Sequence, residues 1–242
     1  MLIQDIKRKV HKLFHPVRGE ILMLHRVVKT RSDDAVNRQL EITPEFFEET
    51  IKNYEKKNYS FVSINQVVEI LSDNRREKKF VCITFDDGFA DNFEYAYPIL
   101  KKHNCPFTIY VTTGFIDGKI PVWWYNDKKA IQESLILKRD QLLLLANDIL
   151  CTIGAHSVSH PRLTKISSFQ MEAEIAESKI FLEGLIGGVI EHFAYPHGDF
   201  DERVTDAVMK YGYKSAVIAN GGKIRKGDKN LFLIKRVLLE QR

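Results

Sequence analysis

Apolar residues in this chain come in short blocks, separated by segments with helical spacing. Eight blocks read as strands: Ile21–Leu24, Ser60–Ser63, Phe80–Phe85, Phe107–Val111, Leu150–Ala155, Glu191–Tyr195, Ser215–Ile218 and Phe232–Val237. Short, nearly continuous apolar runs of this kind suit strands covered on both faces. Between them, Thr43-Pro44-Glu45 opens a helix with an N-cap and a proline in the first turn. Phe46, Phe47, Thr50, Ile51 and Tyr54 then repeat at helical spacing. Ile64-Asn65 starts a second helix, and Asn92–His103 and Arg139–Asp148 are two more. Ser168–Leu185 is the longest, with Ser168 at its start, Glu172 nearby, and Met171, Ile175, Ile180 and Leu182 inside.

Strand and helix alternate seven or eight times. This predicts an α/β fold, a parallel sheet with crossover helices closed or nearly closed into a barrel. A doubly wound open sheet satisfies the same pattern. One stretch, residues 114–138, interrupts the alternation and carries Trp123-Trp124-Tyr125. It reads as a long loop with its own helix, placed where barrels carry substrate loops. The expected organisation is a basic arm over residues 1–18 and a single domain over 19–242 that includes this insertion.

Two strings bear chemistry. Phe80-Val81-Cys82-Ile83 runs into Thr84-Phe85-Asp86-Asp87-Gly88, so two carboxylates end a strand. A second strand ends in His156-Ser157-Val158-Ser159-His160. On a helical turn, imidazoles at i and i+4 share one face. One carboxylate and two imidazoles suit a borderline divalent metal, Zn²⁺ first and Co²⁺ or Ni²⁺ also, with positions left open. The other carboxylate is then free to act as a base, the division of labour that metal-assisted hydrolysis needs. Either string alone also reads as an ordinary turn or a packed histidine pair.

Together with Phe193-Ala194-Tyr195-Pro196-His197-Gly198, these strings resemble the polysaccharide deacetylases of carbohydrate esterase family 4, the NodB-homology group. The resemblance runs from Ile21 to about Val237. It implies a distorted (β/α) barrel with about seven parallel strands. It also implies hydrolysis of N-acetyl groups on a hexosamine-containing polysaccharide or glycan precursor. Carried over, Asp87, His156 and His160 hold the metal and Asp86 is the general base. The backbone N–H of His197 helps hold the oxyanion, with Tyr195 and Pro196 on the substrate side. The family often places an arginine two residues before the proline to orient the base, and here that position is Ala194. Its late histidine is also missing, since none follows His197. Leu22-Met23-Leu24-His25-Arg26-Val27 instead resembles the branch with permuted motif order, typified by poly-N-acetylglucosamine deacetylases, which makes His25 the candidate general acid. A near-neutral pKa would suit that role. The family's fourth motif, an acid with a downstream tryptophan, is not evident. Trp124 and Tyr125 either line a sugar subsite or form the core of the inserted loop.

Composition narrows the alternatives. A 242-residue chain that is 44% hydrophobic and 28% charged has the material for one large soluble domain. Its three cysteines, Cys82, Cys105 and Cys151, lack C-x-x-C spacing and suggest buried thiols. No apolar run approaches the ~20 residues of a membrane span, and no signal-peptide h-region opens the chain, so the expected location is cytoplasmic. Charge is uneven: residues 1–31 hold eight Lys/Arg against two acids, and the remainder is net −2. The arm Lys7-Arg8-Lys9-Val10-His11-Lys12 suits either a solvated helix end or peripheral contact with an anionic membrane face. The second use would fit deacylation of a lipid-linked amino sugar. A non-catalytic glycan-binding protein is the alternative of another class. Nucleic acid lacks support, since no basic stretch interleaves with aromatics. A two-metal phosphoesterase lacks further carboxylates. Oligomeric state is not readable.

Overall fold

Strands form where seven of the eight apolar blocks predict them, with ends within two residues except for the first, which begins four residues earlier. In the computed structural model, residues 16–73, 79–124 and 135–241 are described. The arm up to residue 15 and Tyr125 therefore lie outside the described residues. The elements are β1 (Val17–Leu24), β2 (Arg26–Val27), α1 (Ala35–Leu40), β3 (Glu41–Ile42), α2 (Pro44–Lys56), β4 (Ser60–Phe61), α3 (Ile64–Asp73), β5 (Phe80–Phe85), α4 (Tyr97–Lys102), β6 (Phe107–Val111), α5 (Arg139–Ala146), β7 (Cys151–Ala155), α6 (Ser168–Ile186), β8 (His192–Ala194), α7 (Glu202–Lys210), β9 (Ser215–Val217), β10 (Ile224–Arg225) and β11 (Val237–Leu238).

Seven strands run parallel in the order β11-β1-β5-β6-β7-β8-β9, with β10 antiparallel beside β1 and β4 parallel beside β5. The final block, expected as one strand over Phe232–Val237, is divided. Ile234 makes a single parallel bridge to Val217 on β9, and Val237–Leu238 pairs with Leu22 and Met23 of β1. This short segment therefore spans the gap between the first and last strands of a distorted barrel. A continuous strand cannot follow both neighbours, because their edges diverge with the twist.

Strand parity sorts the side chains. On β5, Val81, Ile83 and Phe85 join the large core under the helices, while Phe80 and Cys82 join the smaller core inside the barrel. Thr84 and Asp86 continue that inner row toward the strand's C-terminal end. The barrel is narrow enough to need glycines on its walls. A Cβ on Gly154 would lie 2.5 Å from the Tyr110 ring and 3.0 Å from the His192 carbonyl oxygen.

Helix ends follow local chemistry. Thr43 Oγ1 accepts the Phe46 amide, and Pro44 sits in the first turn of α2. The long helix α6 is capped one residue earlier than expected, by Ser167 with Gln170 in a reciprocal capping box, and it ends at Gly187 with φ +67°. Before α4 the chain makes a wide π turn, Asn92–Ala96. Pro98, just inside α4, has no N–H to return to the preceding turn, which suits the widening.

Two glycine substitutions separate wall from surface. Gly154→Ala should lower unfolding stability by about 1–3 kcal/mol through overpacking against Tyr110. Gly184→Ala, with nothing within 4 Å of the added carbon, should raise stability by about 0.5–1 kcal/mol. Urea denaturation of both variants checks the pair, and an unchanged Gly154→Ala would refute the close-packed wall.

Candidate active site

Asp86 extends the inner row of β5, with its amide bonded to the Leu24 carbonyl at 2.9 Å as the β1–β5 ladder ends. Asp87 and Gly88 then turn the chain at φ +74° and +83°. For glycine such a turn is easy; for an aspartate it is a strained conformation, seen where a side chain must be aimed. Consecutive carboxylates thereby part. Asp86 faces the barrel interior, and Asp87 faces the ends of β7 and β8.

The interior carboxylate meets Arg236. Its Nη1 donates to Asp86 Oδ1 at 2.7 Å and its Nη2 to Oδ2 at 2.6 Å, a bidentate pair. The remaining donors are largely used as well: Nη1 to Thr84 Oγ1 at 3.1 Å and Nε to the Ile218 carbonyl at 3.1 Å. Tyr110 lies beneath, with its ring centroid 5.6 Å from the guanidinium carbon. Burial alone would raise the Asp86 pKa, but Arg236 and the nearby imidazoles outweigh it and hold the carboxyl well below its ordinary range. The arginine missing at Ala194 thus has a counterpart from the barrel-closing segment. Pattern reading passed over it, because an arginine directly after Lys235 looks like part of a surface charge pair. Its place between Ile234 and Val237, the two points where the segment pairs with β9 and β1, emerges only from the fold.

His156 and His160 stand where a ligand pair is needed, though not on a helical turn. The segment is irregular, and Ser157 and His160 have φ +64° and +61°. His156 Nδ1 bonds the Ala194 carbonyl at 2.8 Å, which leaves Nε2 as the free lone pair. His156 Nε2 lies 3.6 Å, and His160 Nε2 3.4 Å, from Asp87 Oδ1. One ligand atom from each residue lies within 4.8 Å of the others, and all three residues are buried. Burial, opposed in part by Asp86, lowers the His156 pKa, and burial with two neighbouring imidazoles takes His160 down to about 2. Asp87 shifts the other way, raised well above the carboxylate range by burial and by Asp86. Its Oδ1 is buried without a hydrogen-bond partner. Neutral imidazoles around an unpartnered buried carboxylate oxygen are a donor set that fits a divalent cation, which would supply the missing charge.

His25 follows β1 at the same mouth. Its carbonyl accepts Asn92 Nδ2 at 2.9 Å, and Asp91 binds Arg26 Nε at 2.7 Å and the Val27 amide at 3.0 Å. The ring's Nδ1 is buried and unpartnered. The expected near-neutral pKa does not hold. Burial, only partly offset by the Asp86 charge, pushes it down to about 4, because Arg236 already claims that charge and itself repels an imidazolium. His25 is thus neutral at rest.

A cavity of about 390 Å³ joins these groups. His25, Asp86, Asp87, His156, His160 and His197 all line it, together with Trp124 and Tyr195. Pro196 is buried and does not line it; it shapes the turn that presents His197 at φ +58°. Tyr195 is nearly fully buried, with its hydroxyl on the Phe232 carbonyl at 3.0 Å. Trp124 packs between Phe115 and His160, at centroid distances of 5.6 and 5.0 Å, and its indole N–H is buried without an acceptor. It is both part of the loop's core and part of the cavity wall. Trp123, which sequence reasoning left aside, is 58% exposed at the rim. Val36 and Leu40 of α1 also line the cavity, as does Arg162.

Comparisons with known proteins agree with this geometry. Over 223 residues the chain is 26% identical to YxkH of Bacillus subtilis, covering 92% of this chain and 71% of that protein. It is 27% identical to the poly-β-1,6-N-acetyl-D-glucosamine N-deacetylase of Staphylococcus aureus, covering 69% of this chain but only 57% of that enzyme. Among solved structures, the Streptococcus pyogenes deacetylase PplD, determined with acetate, superposes with a TM-score of 0.78 at 26% identity over 93% of both chains. The polysaccharide deacetylase family model matches residues 73–216, more than half of the chain, including both the Asp86-Asp87 and the His156–His160 strings. With a distorted (β/α) barrel of this family's kind around that site, the chain belongs to the polysaccharide deacetylases, a family of carbohydrate hydrolases.

Proposed function

We propose that this chain hydrolyses the N-acetyl group of a hexosamine residue in a polysaccharide or glycan precursor, with one divalent metal held by Asp87, His156 and His160. Zn²⁺ suits the ligand set best, and Co²⁺ or Ni²⁺ also fit it. The observation that carries the reading is the pairing of an arginine-held carboxylate with this three-ligand cluster in one cavity.

A bound cation supplies Lewis-acid polarisation of the acetyl carbonyl and a more acidic water. The chain's own residues do the rest. Asp86, kept ionised and oriented by Arg236, takes the proton of the attacking water. The turn at Pro196–Gly198 places His197 on the cavity wall. Its own bonds use the Gly198 and Asp199 amides, leaving that of His197 to the developing oxyanion. His25, neutral at rest, is not the first source of the proton. It relays to the leaving amine the proton that Asp86 has taken, and the acidity imposed on Asp86 by Arg236 favours that release. Trp124, on the cavity wall, offers the acetylated sugar an aromatic face.

The staphylococcal relative's name supports an N-acetylglucosamine polymer as the substrate class. A non-catalytic glycan-binding role is less well supported: the Ala194 gap and the missing fourth motif favour it, but Arg236 gives Asp86 the arginine partner that position 194 lacks. A lipid-linked substrate draws support from the basic arm, which lies outside the described residues; within the described residues, no helix is long and apolar enough to cross a membrane.

Asp86→Asn should lower kcat for acetate release from N-acetylglucosamine oligomers by about 10²–10⁴ while leaving metal binding intact. His25→Ala should do so by a similar factor. Normal turnover in either variant would refute its assigned role. Arg236→Lys keeps the charge but loses the fork, so it should fold and be about 10–100-fold slower, intermediate between wild type and Asp86→Asn.

Metal binding has its own readout. At about 100 times the dissociation constant, Zn²⁺ should stabilise wild type by about 2.7 kcal/mol. The gain should vanish in Asp87→Ala and His160→Ala. A thermal shift that survives either substitution would place the metal elsewhere.

A further inference from the structure

The segment that carries both histidine ligands has no regular structure to hold it, and two of its residues stand in the left-handed region. Each such residue costs on the order of 1–3 kcal/mol and persists only where surrounding bonds impose it. Those bonds come from two sides. The carbonyls of Ser157 and Val158 accept the Thr113 and Gly114 amides, at 3.1 and 2.7 Å. The amides of Val158 and Ser159 both donate to Glu174 Oε2 at 2.8 Å, and Ser159 Oγ donates to Glu174 Oε1 at 2.5 Å. Inside the turn, Ser157 Oγ accepts the His160 amide at 3.0 Å.

Glu174 stands apart from the other holders. It projects from the second turn of α6, beyond the cavity wall, and touches no metal ligand's side chain. Yet it is the one side chain that takes up two of the three amides between the two histidines, those of Val158 and Ser159. A carboxylate accepts several donors at once and binds N–H groups more strongly than a neutral acceptor does. The opposite side of the loop leaves no slack. A Cβ on Gly114 would fall 2.5 Å from the Val158 oxygen, so the turn is pressed against residues 113–114 and drawn toward α6 together.

We propose that Glu174 is a positioning residue for the metal centre: it clamps Val158 and Ser159 so that His156 and His160 converge on Asp87 before any metal arrives. The inference rests on the metal-site reading of Asp87, His156 and His160. Without the clamp, Val158 and Ser159, the two residues between the left-handed Ser157 and His160, lose the three bonds that fix the middle of the turn. The loop then relaxes, and the ordering becomes a cost of metal binding. Outer partners of metal ligands commonly contribute about 10–100-fold in affinity.

The test is Zn²⁺ affinity by competition with a chromophoric chelator, on wild type, Glu174→Leu and Glu174→Gln, each shown to be folded by circular dichroism. Hydrogen exchange across residues 156–160 is followed in the metal-free proteins. Glu174→Leu keeps volume and removes the acceptors, so its Zn²⁺ affinity should fall about 10–100-fold, with faster exchange at Val158 and Ser159. Glu174→Gln returns one acceptor oxygen at the same reach and should recover most of both. A merely structural role would lower thermal stability and leave the affinity of the folded protein unchanged, and that result overturns the proposal. If Glu174→Leu does not fold, Ser159→Ala removes one clamp bond and should weaken Zn²⁺ several-fold; wild-type affinity there and in Glu174→Gln would overturn the clamp. Wild type that binds no divalent metal would instead sink the metal-site reading, while exchange still decides whether Glu174 holds the loop.

Discussion

The bidentate contact between Arg236 and Asp86 ties the barrel's closure to its chemistry. Both groups are buried, and each would be strongly unfavourable there alone. Breaking such a pair typically costs about 3–5 kcal/mol, because one charge is left without its counter-ion. Arg236 sits between Ile234, which bridges to β9, and Val237, which pairs with β1. The segment that joins the last strand to the first must therefore be seated before the carboxylate is neutralised. Conversely, the ion pair pins a segment whose backbone pairing is too short to hold itself.

The metal side is built on the opposite principle. Asp86 is satisfied by its arginine, whereas Asp87 is left with an orphaned oxygen, a raised pKa and a strained backbone. Of the six non-glycine residues with positive φ among those described, four are at this site: Asp87, Ser157, His160 and His197. The fold spends stability in the one place where a bound cation would return it. Neutral imidazoles, lowered by burial, keep the site from repelling that cation.

Much of this was legible in the sequence. Apolar blocks placed five of the seven parallel strands almost to the residue, since strands buried on both faces have little polar ambiguity. Parity alone set Asp86 in line with Phe80, Cys82 and Thr84. The two ligand strings were readable because metal chemistry restricts residue type and spacing. What escaped depends on tertiary context. Arg236 is marked by no motif, because a fork that reaches a carboxylate across the barrel works from any strand that points it inward. The loop from His156 to His160 was taken for a helical turn, since i, i+4 spacing says nothing of φ; Gly114 and Glu174, distant in sequence, decide its shape. His25 was rightly placed at a strand end, but its proton affinity depends on how Asp86 is already paired.

The permuted arrangement also has a physical reading. A closed ring of parallel strands makes the first and last strands neighbours, so a group can be supplied from either side of the closure without moving in space. Here His25, the histidine proposed to handle the proton, comes from the end of β1, and Arg236, which pairs with the proposed base Asp86, comes from beside β11. β1 and β11 are hydrogen-bonded to each other at Leu22–Val237 and Met23–Leu238. Selection on geometry constrains where a charge sits above the sheet, and leaves open which strand of the seam carries it. The gap at Ala194 then leaves Asp86 with an arginine partner all the same. With Arg236 already filling the space beside Asp86, an arginine at position 194 would add a second buried cation to a carboxylate that has one, and its unpaired charge would be costly. The backbone carbonyl of residue 194, which any side chain there would keep, meanwhile holds His156 Nδ1 at 2.8 Å, so this strand end orients an imidazole of the Asp87–His156–His160 cluster without needing an arginine.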